Sequence, residues 1–145
     1  MTAVTDTELP AQLAAIRDDF VSLSNPDKLQ LLLEYSQSLP DVPEGIVPED
    51  AWERVSECQS PVFIHVDTSS DYPVIYATAP QEAPTTRGFA SILVQGLQGL
   101  SAEQIRAVPA DFPLTLGLGD AVSLLRLRGM TGMLSRIQRQ LRQAG

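Results

Sequence analysis

Residues 61–78 read PVFIHVDTSSDYPVIYAT, and this stretch decides between an all-helical chain and a mixed one. Val62, Phe63, Ile64 and Val66 form one run rich in β-branched and aromatic residues, and Val74, Ile75, Tyr76 and Ala77 form a second. Asp67 to Asp71 between them is a polar turn cluster. Two such runs with a short polar connection predict an antiparallel hairpin. A further strand is expected upstream, near Trp52 to Val55, joined to the Val62 strand by a segment that holds Cys58.

The flanks on both sides read as helix. Upstream, Thr7-Glu8-Leu9-Pro10 is a helix entry, and Leu13, Ile16 and Phe20 then recur at spacings of three and four. Asn25 suits an N-cap and Pro26 the first helical position, with Leu29, Leu32, Leu33 and Ser36 on one face until Pro40 stops the helix. The short Leu23-Ser24 link predicts a helical hairpin. Pro40, Pro43, Gly45 and Pro48 mark a loop too short to divide domains. Downstream, Thr85-Thr86 supply a cap for a helix that places Phe89, Ile92, Leu93, Gly96 and Leu97 on one face. Ser101 and Gln104 have the spacing of a capping box and open a short helix that ends before Pro109. Gly117-Leu118-Gly119-Asp120 reads as a loop. Met130, Met133, Leu134, Ile137 and Leu141 make a C-terminal stripe, with Arg136, Arg139 and Arg142 off it and Gly129-Met130-Thr131-Gly132 as the helix start. The order predicts an α+β fold in a single domain over residues 1–145. It has an N-terminal helical hairpin, a small antiparallel sheet of about three strands, and C-terminal helices packed on one face. Residues 1–8 are expected to be flexible.

With 145 residues, 43% apolar and 19% charged, the chain is long enough to bury a core without disulfide or metal staples. No apolar run approaches the ~20 residues that span a bilayer, and the polar, acidic start lacks the basic and apolar regions of a signal peptide. The chain therefore reads as cytoplasmic. A net charge of −8 argues against nucleic acid or an anionic membrane as the main partner. The charge is uneven: residues 1–86 carry three basic and fifteen acidic side chains, whereas residues 87–145 carry seven arginines against Glu103, Asp111 and Asp120. The arginines either meet an acidic partner, pair with the acidic half, or stay solvated.

The reactive inventory is short. One cysteine excludes an internal disulfide, and one cysteine with one histidine excludes the thiolate-rich and histidine-rich metal sites. The single lysine, Lys28, sits at what reads as an exposed helix start, so pyridoxal phosphate catalysis by this chain is not expected. Gly117-Leu118-Gly119 lacks the further glycines and the Lys-Ser/Thr of a phosphate loop. Glu49-Asp50 and Asp18-Asp19 read as solvated, and the methionines as core. Cys58 is the one strong nucleophile: either a buried, inert thiol or a reactive one on a polar loop. Glu57 beside it works against a thiolate. A hydrolase would need His65 as base, and the strand position of His65 disfavours that pairing.

At Cys58 the chain resembles the SufE family of sulfur-acceptor proteins. The family block Val-x-Gly-Cys-Gln-Ser-x-Val-aromatic stands here as Val55-Ser56-Glu57-Cys58-Gln59-Ser60-Pro61-Val62-Phe63. A block reading Lys-Gly-hydrophobic at a helix start stands as Arg87-Gly88-Phe89. A third, Leu-Ser-Pro-x-Arg-x-Asn-Gly, stands as Val122-Ser123-Leu124-Leu125-Arg126-Leu127-Arg128-Gly129. The resemblance runs from about Leu13 to Leu141, with Glu57, Arg87, Leu124 and Arg128 as departures. It implies a carrier that takes persulfide sulfur from a cysteine desulfurase on Cys58, stimulates that enzyme, and hands the sulfur to an iron–sulfur assembly scaffold. Pyridoxal phosphate then belongs to the desulfurase, and the carrier is an accessory protein and not an independent enzyme. Glu57, Gln59, Ser60, Arg87, Gly88, Arg126 and Gly129 are implied as supporting or partner-binding residues. Cys58 is expected to tuck against apolar side chains on a mobile loop and to swing out on docking. The alternative is an adaptor of the same fold that binds a desulfurase or another partner without carrying sulfur.

Overall fold

The computed structural model describes residues 9–144. The expected flexibility of residues 1–8, and Thr7 and Glu8 of the helix entry, lie outside them. Helix α1 spans Ala11–Val21 directly after Pro10, and α2 spans Asn25–Gln37. The N-cap of α2 is Ser24, not Asn25: its Oγ accepts from the Asp27 N–H, which places Asn25 and Pro26 in the first turn. Proline is tolerated there because that turn leaves its N–H groups free anyway. The rings of Phe20 and Tyr35 stack at 5.9 Å and tie α1 to α2.

After a single 3₁₀ turn at Glu49–Ala51 come strands β1 (Glu53–Arg54), β2 (Phe63–Asp67) and β3 (Val74–Thr78). They form one antiparallel sheet in the order β1-β2-β3, with Glu53 opposite Ile64, Phe63 opposite Thr78 and Asp67 opposite Val74. Successive side chains point to opposite faces: Ile64, Val66, Ile75 and Ala77 are buried, while Phe63, His65 and Tyr76 look the other way and are half-buried.

Helix α3 (Pro84–Gly96) covers β3 and lies along α2. The approach is close: a Cβ on Gly88 would stand 2.6 Å from the Leu32 carbonyl oxygen. Leu32 and Ser36 of α2 are buried there, whereas Leu29 and Leu33, expected on the same face, stay exposed. The expected Thr85-Thr86 cap is absent: both residues lie inside α3, which begins at Pro84 after Ala83 without a side-chain cap. Helix α4 (Ala102–Arg106) carries the capping box in full, with Ser101 Oγ accepting from the Gln104 N–H and Gln104 Oε1 from the Ser101 N–H. A 3₁₀ segment at Phe112–Leu116 ends at Gly117, whose φ of 72° suits glycine. The carbonyl of Gly117 accepts from Lys28 Nζ at 2.9 Å, so the lone lysine is half-buried and engaged, where an exposed position is expected.

Helix α5 (Leu124–Ala144) lies on β2. Ser123 Oγ accepts from the Arg126 N–H and caps it. Its start is thus five residues earlier than expected, and Gly129 and Gly132 fall inside the helix. The Met130, Met133, Leu134, Ile137 and Leu141 stripe is buried throughout. Gln138 extends its amide to the carbonyls of Ile105 and Val108 and ties α5 to the end of α4. Because β1 is only two residues long, the Val66 N–H on that side of β2 has no strand to bond. Gln140 Oε1 accepts from it at 2.9 Å, and Gln140 Nε2 donates to Glu53 Oε1 at 3.0 Å. Among the described residues no helix is long and apolar enough to cross a membrane.

Candidate functional site

Cys58 sits on the connection from β1 to β2. Val55 N–H donates to the Val62 carbonyl and closes the connection at its base, and Cys58 N–H donates to the Val55 carbonyl in a turn above it. Along this turn Ser56, Glu57 and Gln59 face solvent, while the Cys58 side chain turns inward and is only 8% exposed.

The surface that receives it is α5. Its Sγ lies 2.8 Å from where a Cβ on Gly129 would be. One helical turn on, a Cβ on Gly132 would meet the Glu57 carboxylate at 2.7–2.8 Å. Two glycines three residues apart thus flatten one strip of α5, and residues 57 and 58 lie on it. Arg136, another turn along, holds the same segment by its guanidinium, bonding Glu57 Oε1 at 2.9 Å, Ser56 Oγ at 2.8 Å and the Arg54 carbonyl at 3.1 Å. Glu53 pairs with both Arg136 and Arg139. Of the three fates open to the arginines, pairing with the acidic half holds for these two.

Burial is the first reason that the Cys58 thiol is pushed up to about 11, and Glu57 adds to it; Arg136 and Arg54 pull the other way without prevailing. The thiol as it rests is therefore protonated at neutral pH and a poor nucleophile. Beside it opens a cleft of about 60 Å³, lined by Glu57, Cys58, Gln59, Ser60, Thr86, Leu125, Arg126 and Gly129. Pockets for small organic substrates run to roughly 300–1,000 Å³. This one has room for little more than an added atom or two. A larger groove of about 300 Å³ lies elsewhere, between Pro40–Val42, β3 and the end of α3, and Cys58 is not part of it. His65 is on the face of β2 opposite Ile64 and Val66 and does not line the cleft, which removes the base that a Cys-His hydrolase needs. Among the described residues there is no cluster of three or more groups that suits a metal ion.

Residues 14–141 match the family described as "SufE: Fe-S metabolism associated domain". The chain belongs to the SufE family. An uncharacterized SufE-like protein of Mycobacterium tuberculosis is 53% identical over 137 residues, which cover 94% of this chain and 95% of that one. A Plasmodium vivax protein described as a cysteine desulfuration protein SufE is 27% identical over 126 residues, covering 77% of this chain and 51% of that one. The solution structure of a hypothetical protein from Thermus thermophilus superposes with a TM-score of 0.82 at 39% identity, over 94% of this chain and 97% of that one.

The three SufE-family blocks do not all converge in space. Glu57, Gln59, Ser60, Arg126 and Gly129 gather with Cys58 around the cleft. Arg87 does not: its Nε donates to the Ser36 carbonyl at 2.8 Å and an Nη to the Ala79 carbonyl at 2.6 Å. Gly88 is the point of contact between α3 and α2. From that block it is the preceding residue, Thr86, that reaches the cleft. Thr86, Leu125, Gly132 and Arg136 were not singled out from the sequence as site residues. Gly132 carried a signal, since it repeats Gly129 at one helical turn, and so did the charge imbalance between the two halves.

Proposed function

We propose that this SufE-family chain is a sulfur acceptor and carrier. Cys58 Sγ attacks the outer sulfur of a cysteine desulfurase persulfide. A new S–S bond forms at Cys58, the donor S–S bond breaks, and the donor cysteine leaves as its thiolate. No net oxidation occurs. The persulfide on Cys58 then gives up its outer sulfur to a thiol of an iron–sulfur assembly scaffold, and Cys58 returns to the thiol. Pyridoxal phosphate serves the desulfurase, and this chain works beside it in the cytoplasm as an accessory that stimulates its turnover.

The observation that carries the reading is the placement of the chain's sole cysteine, in the family's cysteine block, at a cleft of about 60 Å³. A space of that size suits one transferred atom and not an organic substrate. Burial pushes the resting thiol up to about 11, so in this reading Cys58 leaves its place on α5 when a donor docks. Arg126, exposed at the rim, then stands by to balance the anionic persulfide, with Gln59 and Ser60 as hydrogen-bonding neighbours. Arg87 and Gly88 support the site from behind, by holding α3 against α2.

The test is the intact mass of the protein after incubation with cysteine and a desulfurase. One added sulfur atom, removed by reductant and absent in Cys58→Ser, is expected. The buried, protonated thiol favours one other reading, an adaptor that binds a desulfurase without accepting sulfur. That reading predicts binding without added mass, and stimulation that survives Cys58→Ala.

A further inference from the structure

Arg136 of α5 bonds three residues of the thiol-bearing segment. Its Nε donates to the Arg54 carbonyl, an Nη to Ser56 Oγ and to Glu57 Oε1, and Glu53 stands 3.7 Å away. The Arg136 side chain is 17% exposed and that of Glu57 41%, so the pair is partly screened from water and not a free surface contact. Glu57 adjoins Cys58 in the chain, and both rest on the glycine strip of α5.

We propose that Arg136 is a positioning residue for the thiol: with Glu57 it forms a latch that holds Cys58 down on α5, and a docking sulfur donor has to break it. This rests on the sulfur-acceptor reading for its purpose, because a latch matters only to a thiol that must emerge. The glycines provide the seat, and the guanidinium, with bonds to three successive parts of the segment, provides the hold. A lysine, with a single charged point, would keep the pair with Glu57 but not the whole set.

The experiment measures alkylation of the full chain by iodoacetamide at pH 8, followed by intact mass, with thermal unfolding recorded for each variant. Arg136→Gln is expected to speed alkylation roughly tenfold; Glu57→Gln also speeds it, but there the lost carboxylate by itself eases ionisation of the thiol, so the arginine variants decide. The sign is decisive. Removing the Arg136 charge alone leaves the thiol harder to ionise and would slow the reaction; only release of the segment makes it faster. Arg136→Lys keeps the charge and is expected to fall between wild type and Arg136→Gln. A folded Arg136→Gln that reacts no faster than wild type overturns the latch. If Arg136→Gln does not fold, an unchanged rate in Arg136→Lys overturns it instead. No desulfurase is present, so this outcome and that of the sulfur-transfer experiment are independent.

Discussion

Gly129→Ala places a methyl group 2.8 Å from Cys58 Sγ, well inside contact distance. Overpacking of this kind costs about 1–3 kcal/mol. Against it stands the gain of alanine over glycine in a helix interior, about 0.5–1 kcal/mol. The variant is therefore expected to lose up to about 2.5 kcal/mol of stability, or to turn Sγ out of its seat and expose it. In a Cys58→Ala background the same methyl meets only the Cα and Cβ of residue 58, at 3.8 and 3.9 Å, which is ordinary contact. The overpacking vanishes, the helix gain remains, and Gly129→Ala becomes stabilising by about 0.5–1 kcal/mol. Urea unfolding of wild type, both single variants and the double variant gives the coupling, expected at about 1–3 kcal/mol. Iodoacetamide reports whether Sγ has moved outward. Effects additive to within about 0.5 kcal/mol, together with an unchanged alkylation rate, would refute the seat on α5 as the reason for this glycine.

Two further outcomes are expected. Burial pushes the Cys58 thiol up from its ordinary value of 9.0 to about 11, so the folded state holds that proton longer than the unfolded chain does. The resulting stability is present in full below pH 9, falls as pH rises towards 11, and is missing from Cys58→Ala; urea midpoints at pH 7, 9 and 10.5 for both proteins check it. Arg87→Met removes a guanidinium that serves two carbonyls and is expected to cost about 1.5–3 kcal/mol, read from urea unfolding. Arg87→Lys should recover only part of that loss, because an ammonium does not reproduce the fork.

The architecture was legible where its cause is local. The enrichment of 62–66 and 74–77 in β-branched and aromatic residues is a property of neighbours in the chain, and it marked the strands. The capping box at Ser101 and Gln104 is local too. The expectations that missed are those settled by distant parts of the molecule. Gly129 and Gly132 suggest a helix start on propensity, since glycine weakens a helix interior. Their reason is the segment of residues 57 and 58, about seventy positions away, which no local pattern reveals. Asn25 and Ser24 are both good caps, and the choice depends on a single bond to Asp27. Arg87 is implied as a supporting or partner-binding residue because its block accompanies the cysteine block, and three-dimensional packing directs it to the carbonyls of Ser36 and Ala79. The membership of Arg136 in the cysteine's surroundings was visible only as a surplus of arginine late in the chain and of carboxylates early in it.

That the seat for Cys58 is built on α5 has a consequence for biosynthesis. Residue 58 leaves the ribosome 71 residues ahead of residue 129. At about 5–20 residues per second, the thiol waits roughly 4–14 s for the strip that will shelter it. During that interval the α5 strip that buries it is not yet in place. The finished protein keeps the same sulfur quiet by burying it. The nascent chain depends for that on its surroundings, so oxidative damage to Cys58 should be concentrated among newly made molecules and not among old ones.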